Sequence, residues 1–277
     1  MKFELKPMSF GEVLDGAVKV FRSNLVLFLG IAALFSLPAY LFSTWIARVL
    51  ESTDPPQPGA HVQPGLFRVG LVGVLTYASF FLSWGVMKAA AVQAVTGEPT
   101  NVGKALGRYL RVFWPSLGAT IIVSICSAFF GLMLVIPGVI YYLQRSLYLP
   151  VLLVEGGTAG NALTRSNALV IGKNGKGRMG RVFGASVVFA VLSWVVGFGL
   201  DPLIPAGLKG TVLGAVVPTI PRIIIAPLSS IAMVLIYFDA RVRDEGYDLQ
   251  LRAQAAATTL GPPAASLAGG PAPTGPA

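Results

Sequence analysis

Apolar residues in this chain fall into six long stretches separated by short polar segments. The stretches are close to the roughly 20 residues that a helix needs to cross the hydrocarbon core of a bilayer. They lack the period-two alternation of a membrane barrel strand, so the pattern predicts an all-α integral membrane protein with six transmembrane helices. The predicted spans are Leu25–Ala47, Leu71–Val95, Trp114–Ile136, Gly138–Val154, Val182–Leu200 and one within Thr211–Phe238.

Lys and Arg residues are concentrated in every second gap between these spans. Most of the 21 basic residues lie on one predicted side, and the other side carries Arg48, Arg68 and Lys209. By the positive-inside rule, both termini are expected in the cytoplasm of a bacterial cell, with the protein in its inner membrane. The segment before the first span has no continuous apolar core, so that span is expected to act as an uncleaved signal anchor. A tight outer turn is expected at residues 136–138.

Three segments that precede odd-numbered spans resemble one another. They begin at Ser9, Thr100 and Thr158, which are suitable N-cap residues, and Ser9 with Glu12 fits a capping box. In the first two segments, apolar residues at helical spacing opposite Lys and Arg predict helices lying in the headgroup plane. The third segment fits less well, since Ser166 and Asn167 fall on the apolar stripe. The order predicts three repeats of one interfacial helix and two spans. The alternative is that each linker favours such a helix without common ancestry.

Composition agrees with a membrane domain over residues 1–252. Hydrophobic residues make up 54% of the chain, charged residues only 12%, and the mean hydropathy is +0.71. The net charge of +9 could indicate nucleic acid in a soluble protein, but here the cations flank spans and indicate anionic lipid headgroups. Residues 253–277 are uncharged and rich in Ala, Pro and Gly, so this tail is expected to be disordered.

No catalytic or metal-binding motif is recognisable. The 12 acidic residues lie in loops, termini or span ends, the only His is the loop residue His61, and the only Cys is Cys126 in an apolar span. Proton-coupled transporters and intramembrane hydrolases usually need a carboxylate or imidazole within a span. The sequence therefore predicts no catalytic residues, no metal and no cofactor.

Three cations inside the predicted spans are the residues that could bind a ligand. Lys88, Arg145 and Arg222 fall within predicted spans, where a charge costs at least roughly 2.5–3.5 kcal/mol. One interpretation is that the side chains reach the interface along their apolar stems. The other is that they form a cationic cavity that holds an anion such as a lipid phosphate.

The end of the sixth span carries a charged motif. Asp239 and Arg243 are four residues apart in the order that favours an ion pair on a helix, and Gly246 suits a helix end. The segment from Tyr237 to Leu249 resembles the closing YYDLRxRxEGxDL element of a bacterial family named after the membrane domain of glycerophosphoryl diester phosphodiesterases. Shorter matching pieces are Gly11–Asp15, Ile136–Gly138, Val154–Gly156, Ala162–Leu163 and Arg165–Ser166.

The resemblance covers Ser9 to about Leu251 and departs from the family pattern at Phe238, Ala240 and Asn167. It implies a six-span inner-membrane module of unknown biochemical role. The soluble phosphodiesterase domain of some relatives has no counterpart in this chain, so that activity is not implied. The candidate structural motif comprises Glu155, Arg165, Asp239, Arg241, Arg243, Glu245, Gly246 and Asp248.

Two functions remain open. The first is a non-enzymatic membrane module that binds lipid or another membrane protein, and no nucleic acid. The alternative is a transporter of an anionic or lipid-like solute, supported by the in-span cations and the prolines that break the sixth span. At the charged motif, Asp239 is predicted to be held by Arg165, with Arg243 as the local competitor.

Overall fold

The computed structural model describes residues 7–35, 65–172, 178–199 and 219–246. All regular secondary structure in these ranges is helical, which confirms the all-α prediction. Where a helix end falls at the edge of a described range, only the part inside that range is meant. The helices are α1 (Phe10–Ser23), α2 (Leu25–Phe35), α3 (Gly65–Thr96), α4 (Val102–Arg111), α5 (Phe113–Met133), α6 (Val135–Arg145), α7 (Tyr148–Glu155), α8 (Ala159–Ile171), α9 (Met179–Gly199) and α10 (Thr219–Glu245).

Four of these helices are long and apolar enough to cross a membrane. They are the Tyr77–Thr96 part of α3, α5, the Met179–Val196 part of α9 and the Ile223–Glu245 part of α10. Helices α1 and α2 would form a fifth span if they are counted together across their 84° bend. The protein is therefore a membrane-embedded helical bundle. The rest of the predicted first span and the first part of the sixth lie outside the described residues.

The predicted fourth span is not one helix. Helices α6 and α7 are separated by a break at Ser146 and Leu147. At the break, the Leu147 N–H donates to Ser166 Oγ at 3.1 Å, and that hydroxyl donates to the Gln144 carbonyl at 3.1 Å. A side chain from α8 thus replaces backbone hydrogen bonds that an interrupted helix leaves unmade.

The predicted outer turn is also displaced. Helix α5 ends at Met133 and α6 begins at Val135, so the chain reverses at Leu134. Residues 136–138 instead lie at the start of α6. A proline is tolerated there because the first N–H groups of a helix have no hydrogen-bond partner within it. Gly138 packs directly on Gly131 of α5: a Cβ at Gly138 would lie 2.7 Å from the Gly131 Cα and 2.8 Å from the Ser127 carbonyl oxygen. The close approach of the two helices therefore depends on Gly138, whereas a Cβ at Gly131 would meet nothing within 4 Å.

Helices α3 and α10 form the centre of the bundle. Of the membrane-crossing window in each helix, 72% of residues are buried in α3 and 61% in α10, against 17% in α5 and 11% in α9. Helix α10 packs against α1, α3, α7, α8 and α9. The large apolar side chains that α5 and α9 expose are those expected of lipid-facing helices.

The three segments that precede odd-numbered spans are helical, as α1, α4 and α8, and their position in the headgroup plane stays a prediction. Ser9 and Glu12 form the predicted capping box, and Thr158 accepts from the Asn161 N–H. The cap of α4 is Asn101, which accepts from Gly103 N–H, and not the predicted Thr100. In each case an amphipathic helix precedes an apolar one in the chain, and the threefold repeat remains a prediction.

Candidate functional site: an interhelical cavity and a charged end

A cavity of about 620 Å³ lies between α3, α5, α9, α10 and the α6–α7 break. This volume is within the range of about 300–1,000 Å³ found for small-molecule sites. Along α3 the cavity extends from Tyr77 to Lys88, which at 1.5 Å per residue is a length of about 16 Å. Helix α10 lines it over a similar length, from Ile223 to Met233.

The cavity has two unlike walls. The α3 side, called the aromatic wall below, carries Tyr77, Phe80, Phe81 and Trp84. The facing helices α9 and α10, called the hydroxyl wall below, contribute Ser186, Ser193, Ser229 and Ser230. No Asp, Glu, His or Cys is among the described residues that line the cavity. Its polarity therefore comes from hydroxyl groups and from one cation.

That cation is Lys88. The residue is only 2% exposed, and its Nζ lies 3.7 Å from the centre of the Trp84 ring, one helical turn away. Within the described part of the chain, Lys88 makes this cation–π contact and no ion pair or hydrogen bond. The side chain does not run out to the interface, which was the first interpretation of it. An ammonium that is buried without an anion among the described residues is energetically costly.

The other two predicted anion-binding residues are placed differently. Arg145 lies in the last turn of α6, where a cation is favourable for the helix dipole. Its guanidinium carbon is 3.7 Å from the centre of the Tyr141 ring, and it does not line the cavity with Lys88. Arg222 lies in the first turns of α10, and its side chain is outside the described residues. The structure thus gives the candidate anion site one described cation.

Ionic groups gather where α10 ends, at what is called the charged end below. Asp239 is 1% exposed and accepts hydrogen bonds from the Met8 N–H at 2.8 Å, from Arg243 Nε at 2.8 Å and from Arg181. Arg181 and Arg243 also donate to the Met8 carbonyl. The predicted Arg243 contact is confirmed. The predicted Arg165 contact is wrong, because Arg181 at the start of α9 occupies that place.

Arg165 belongs to a second ionic group at the charged end. It pairs with Glu155 at 3.1 Å and with Glu245, while Arg241 pairs with Glu245 at 3.0 Å. The Tyr237 hydroxyl donates to Glu155 at 2.8 Å and so ties α7 to α10. Burial lowers the pKa of the Arg165 guanidinium, but hydrogen bonds to Glu245 and Glu155 outweigh it and raise that pKa above its ordinary value. The candidate motif residues Glu155, Arg165, Arg241 and Glu245 are thus brought together.

A third contact at the charged end was not predicted. Arg178 is 5% exposed, and its two terminal nitrogens bind Asp244 at 2.8 and 2.6 Å. In the sequence, Arg178 and Arg181 were among the basic residues used to assign the two sides of the membrane. Because they are three residues apart, both lie on one face where α9 begins. Gly246 ends α10 with φ of 59°, as a helix-terminal glycine does, and Asp248 lies outside the described residues.

Within the described residues, no three His, Cys, Asp or Glu side chains come together as a metal site would require. Comparison with family models, with curated proteins and with solved structures found no match. The cavity and the charged end are the candidate functional features of the described residues.

Proposed function

We propose that the protein is a non-enzymatic membrane module that binds a lipid-like anion in its interhelical cavity. The single observation that supports this is Lys88: a buried cation that lines a cavity of about 620 Å³ and has no ionic partner among the described residues. An anion in the cavity would remove the cost of that unpaired charge, and the aromatic wall would cover an apolar group.

The wider setting of the proposal is the one expected from the sequence. The module has six spans in a bacterial inner membrane, both termini are cytoplasmic, and the charged end faces the cytoplasm. We propose that it is related to the family named after the membrane domain of glycerophosphoryl diester phosphodiesterases, and phosphodiesterase activity is not part of the proposal. Support comes from the basic residues of α1 and α4, including exposed Lys104 and Arg111, which suit anionic headgroups.

The proposal is tested by mass spectrometry of lipids retained by the purified protein. We expect the unmodified protein to retain an anionic amphiphile and the Lys88→Met variant to lose it. The matched control is Arg145→Met, which removes a half-buried cation that does not line the cavity and should leave retention unchanged. Equal retention by all three proteins, or loss only in Arg145→Met, would contradict the proposal.

A transporter of an anionic or lipid-like solute is the second candidate. It is favoured by the position of the cavity, which lies between membrane-crossing helices and extends about 16 Å along α3. Flux in proteoliposomes separates the two functions: a transporter moves the retained amphiphile across the bilayer with a rate that depends on Lys88, whereas a binding module only retains it.

A further inference from the structure

The two ends of the cavity differ in chemistry. Lys88 lies at its end on α3, about eight residues or 12 Å along the axis from Thr96, and Tyr77 marks the opposite end. The Phe81 ring lies between those of Tyr77 and Trp84, with its centre 6.4 Å from each, so these three side chains form a continuous aromatic surface. A ligand that pairs with Lys88 must therefore place its remaining length along this wall.

The charge of the site is limited to one unit. Among the lining residues that the structure describes, Lys88 is the one ionisable cation, and there is no carboxylate to balance or repel a ligand. A ligand with one negative charge would neutralise it, whereas a second negative charge would remain buried without a partner at a cost of several kcal/mol. The site is thus matched to a monoanion.

Three hydroxyl groups that line the cavity do not require a polar ligand body. Ser229 donates to the Ala226 carbonyl at 2.9 Å, Ser146 to the Leu143 carbonyl at 2.8 Å and Thr120 to the Ser116 carbonyl at 2.7 Å. Each of these bonds satisfies the hydroxyl within or next to its own helix. An apolar chain can lie against such groups without leaving their donors unpaired.

We propose that the cavity takes an amphiphile with one apolar chain and one negative charge, with its acidic head group on Lys88 deep in the bundle and its chain along the aromatic wall toward Tyr77. This inference rests on the proposed function and names its ligand class. A fatty acid and a single-chain phosphodiester lipid share this chemistry. The cavity volume of about 620 Å³ favours a single-chain amphiphile over a two-chain phospholipid.

The test uses quenching of Trp84 fluorescence by bromine. The full chain carries Trp45→Phe, Trp114→Phe and Trp194→Phe, so that Trp84, directly below the Lys88 ammonium, is the one emitter. Saturated fatty acids brominated beside the carboxylate or at the methyl end are titrated in turn. We expect saturable and strong quenching by the first and at least severalfold weaker quenching by the second. In Lys88→Met, quenching by both should lose its saturable part.

Competition identifies the source of the ligand. An unbrominated fatty acid or single-chain phosphatidylglycerol should displace the head-brominated probe, and whichever does so at lower concentration is the better match. Equal displacement by zwitterionic single-chain phosphatidylcholine, or by two-chain phosphatidylglycerol, would overturn the ligand class. Stronger quenching by the methyl-end bromine would overturn the orientation, and it would do so even if Lys88→Met does not fold. If the orientation is overturned in this way, the proposed function still stands provided that the purified protein retains an anionic amphiphile.

Discussion

The backbone N–H of Met8 donates a 2.8 Å hydrogen bond to Oδ1 of Asp239, which lies 231 residues further along the chain. The Met8 carbonyl in turn accepts from Arg181 and Arg243. One carboxylate therefore fixes the segment before α1 to the start of α9 and to the end of α10. Asp239 is 1% exposed, whereas the Arg181 and Arg243 side chains are 29% and 33% exposed, so the carboxylate is shielded from water while its two partners reach the surface.

Asp239 and Arg181 should be energetically coupled. Replacing Asp239 by Asn removes the charge that two guanidinium groups share, and we expect a loss of about 3 kcal/mol in the free energy of unfolding. In a double-mutant cycle with Arg181→Met, the coupling energy should be about 1–2 kcal/mol. The measurement is equilibrium unfolding in detergent micelles.

Arg165 provides the matched control for this cycle. It is also a guanidinium at the charged end, but it pairs with Glu155 and Glu245 and not with Asp239. The effects of Asp239→Asn and Arg165→Met should add to within about 0.5 kcal/mol. Coupling to Arg165 with additivity to Arg181 would show that the ionic partners are assigned wrongly.

Ser166 should stabilise the break between α6 and α7. Ser166→Ala leaves the Leu147 N–H without its acceptor in a buried position, which costs about 1–3 kcal/mol. Thr164→Ala on the same helix removes an exposed hydroxyl that donates only to the Gly160 carbonyl, so its effect should be within about 0.5 kcal/mol. Thermal unfolding of both variants in detergent compares them, and equal losses would argue against a special role of Ser166.

Gly138 should be required for the α5–α6 hairpin. Its Cβ would meet backbone atoms of Gly131 and Ser127 at 2.7–2.8 Å, and backbone cannot move aside as a flexible side chain can. Gly138→Ala should therefore destabilise the protein by about 1–3 kcal/mol. Gly131→Ala is the control, because a Cβ there meets nothing within 4 Å. A stability of Gly138→Ala equal to that of the control would contradict this packing.

The elements of the fold were largely predictable, and their breaks were not. Hydropathy and capping residues predicted the apolar helices and α1, α4 and α8, because both depend on neighbours in the sequence. The break at Ser146 was missed because the hydrogen bonds that make it tolerable come from Ser166, on another helix. Arg145 consequently looked like a charge in mid-span, whereas it lies at a helix end.

Part of the candidate site was predictable from the free-energy cost of burying a charge. This cost applies to a lysine in an apolar stretch wherever that stretch lies in the fold, so Lys88 could be singled out from the sequence. The cavity around it could not, since it is lined by side chains from several helices that meet only in the folded bundle. Likewise Arg165 was chosen for Asp239 from motif proximity, while the position of Arg181 depends on where α9 begins.

The affinity of the Lys88→Met variant for a long-chain fatty acid tests the central claim most directly. Removing one member of a buried charge pair costs about 2–5 kcal/mol, so the dissociation constant should rise by about thirtyfold or more. Arg145→Met, measured by the same calorimetric titration in detergent, should bind as tightly as the unmodified protein. A dissociation constant for Lys88→Met within about twofold of the unmodified value would contradict the assignment of Lys88 as the anion-binding residue.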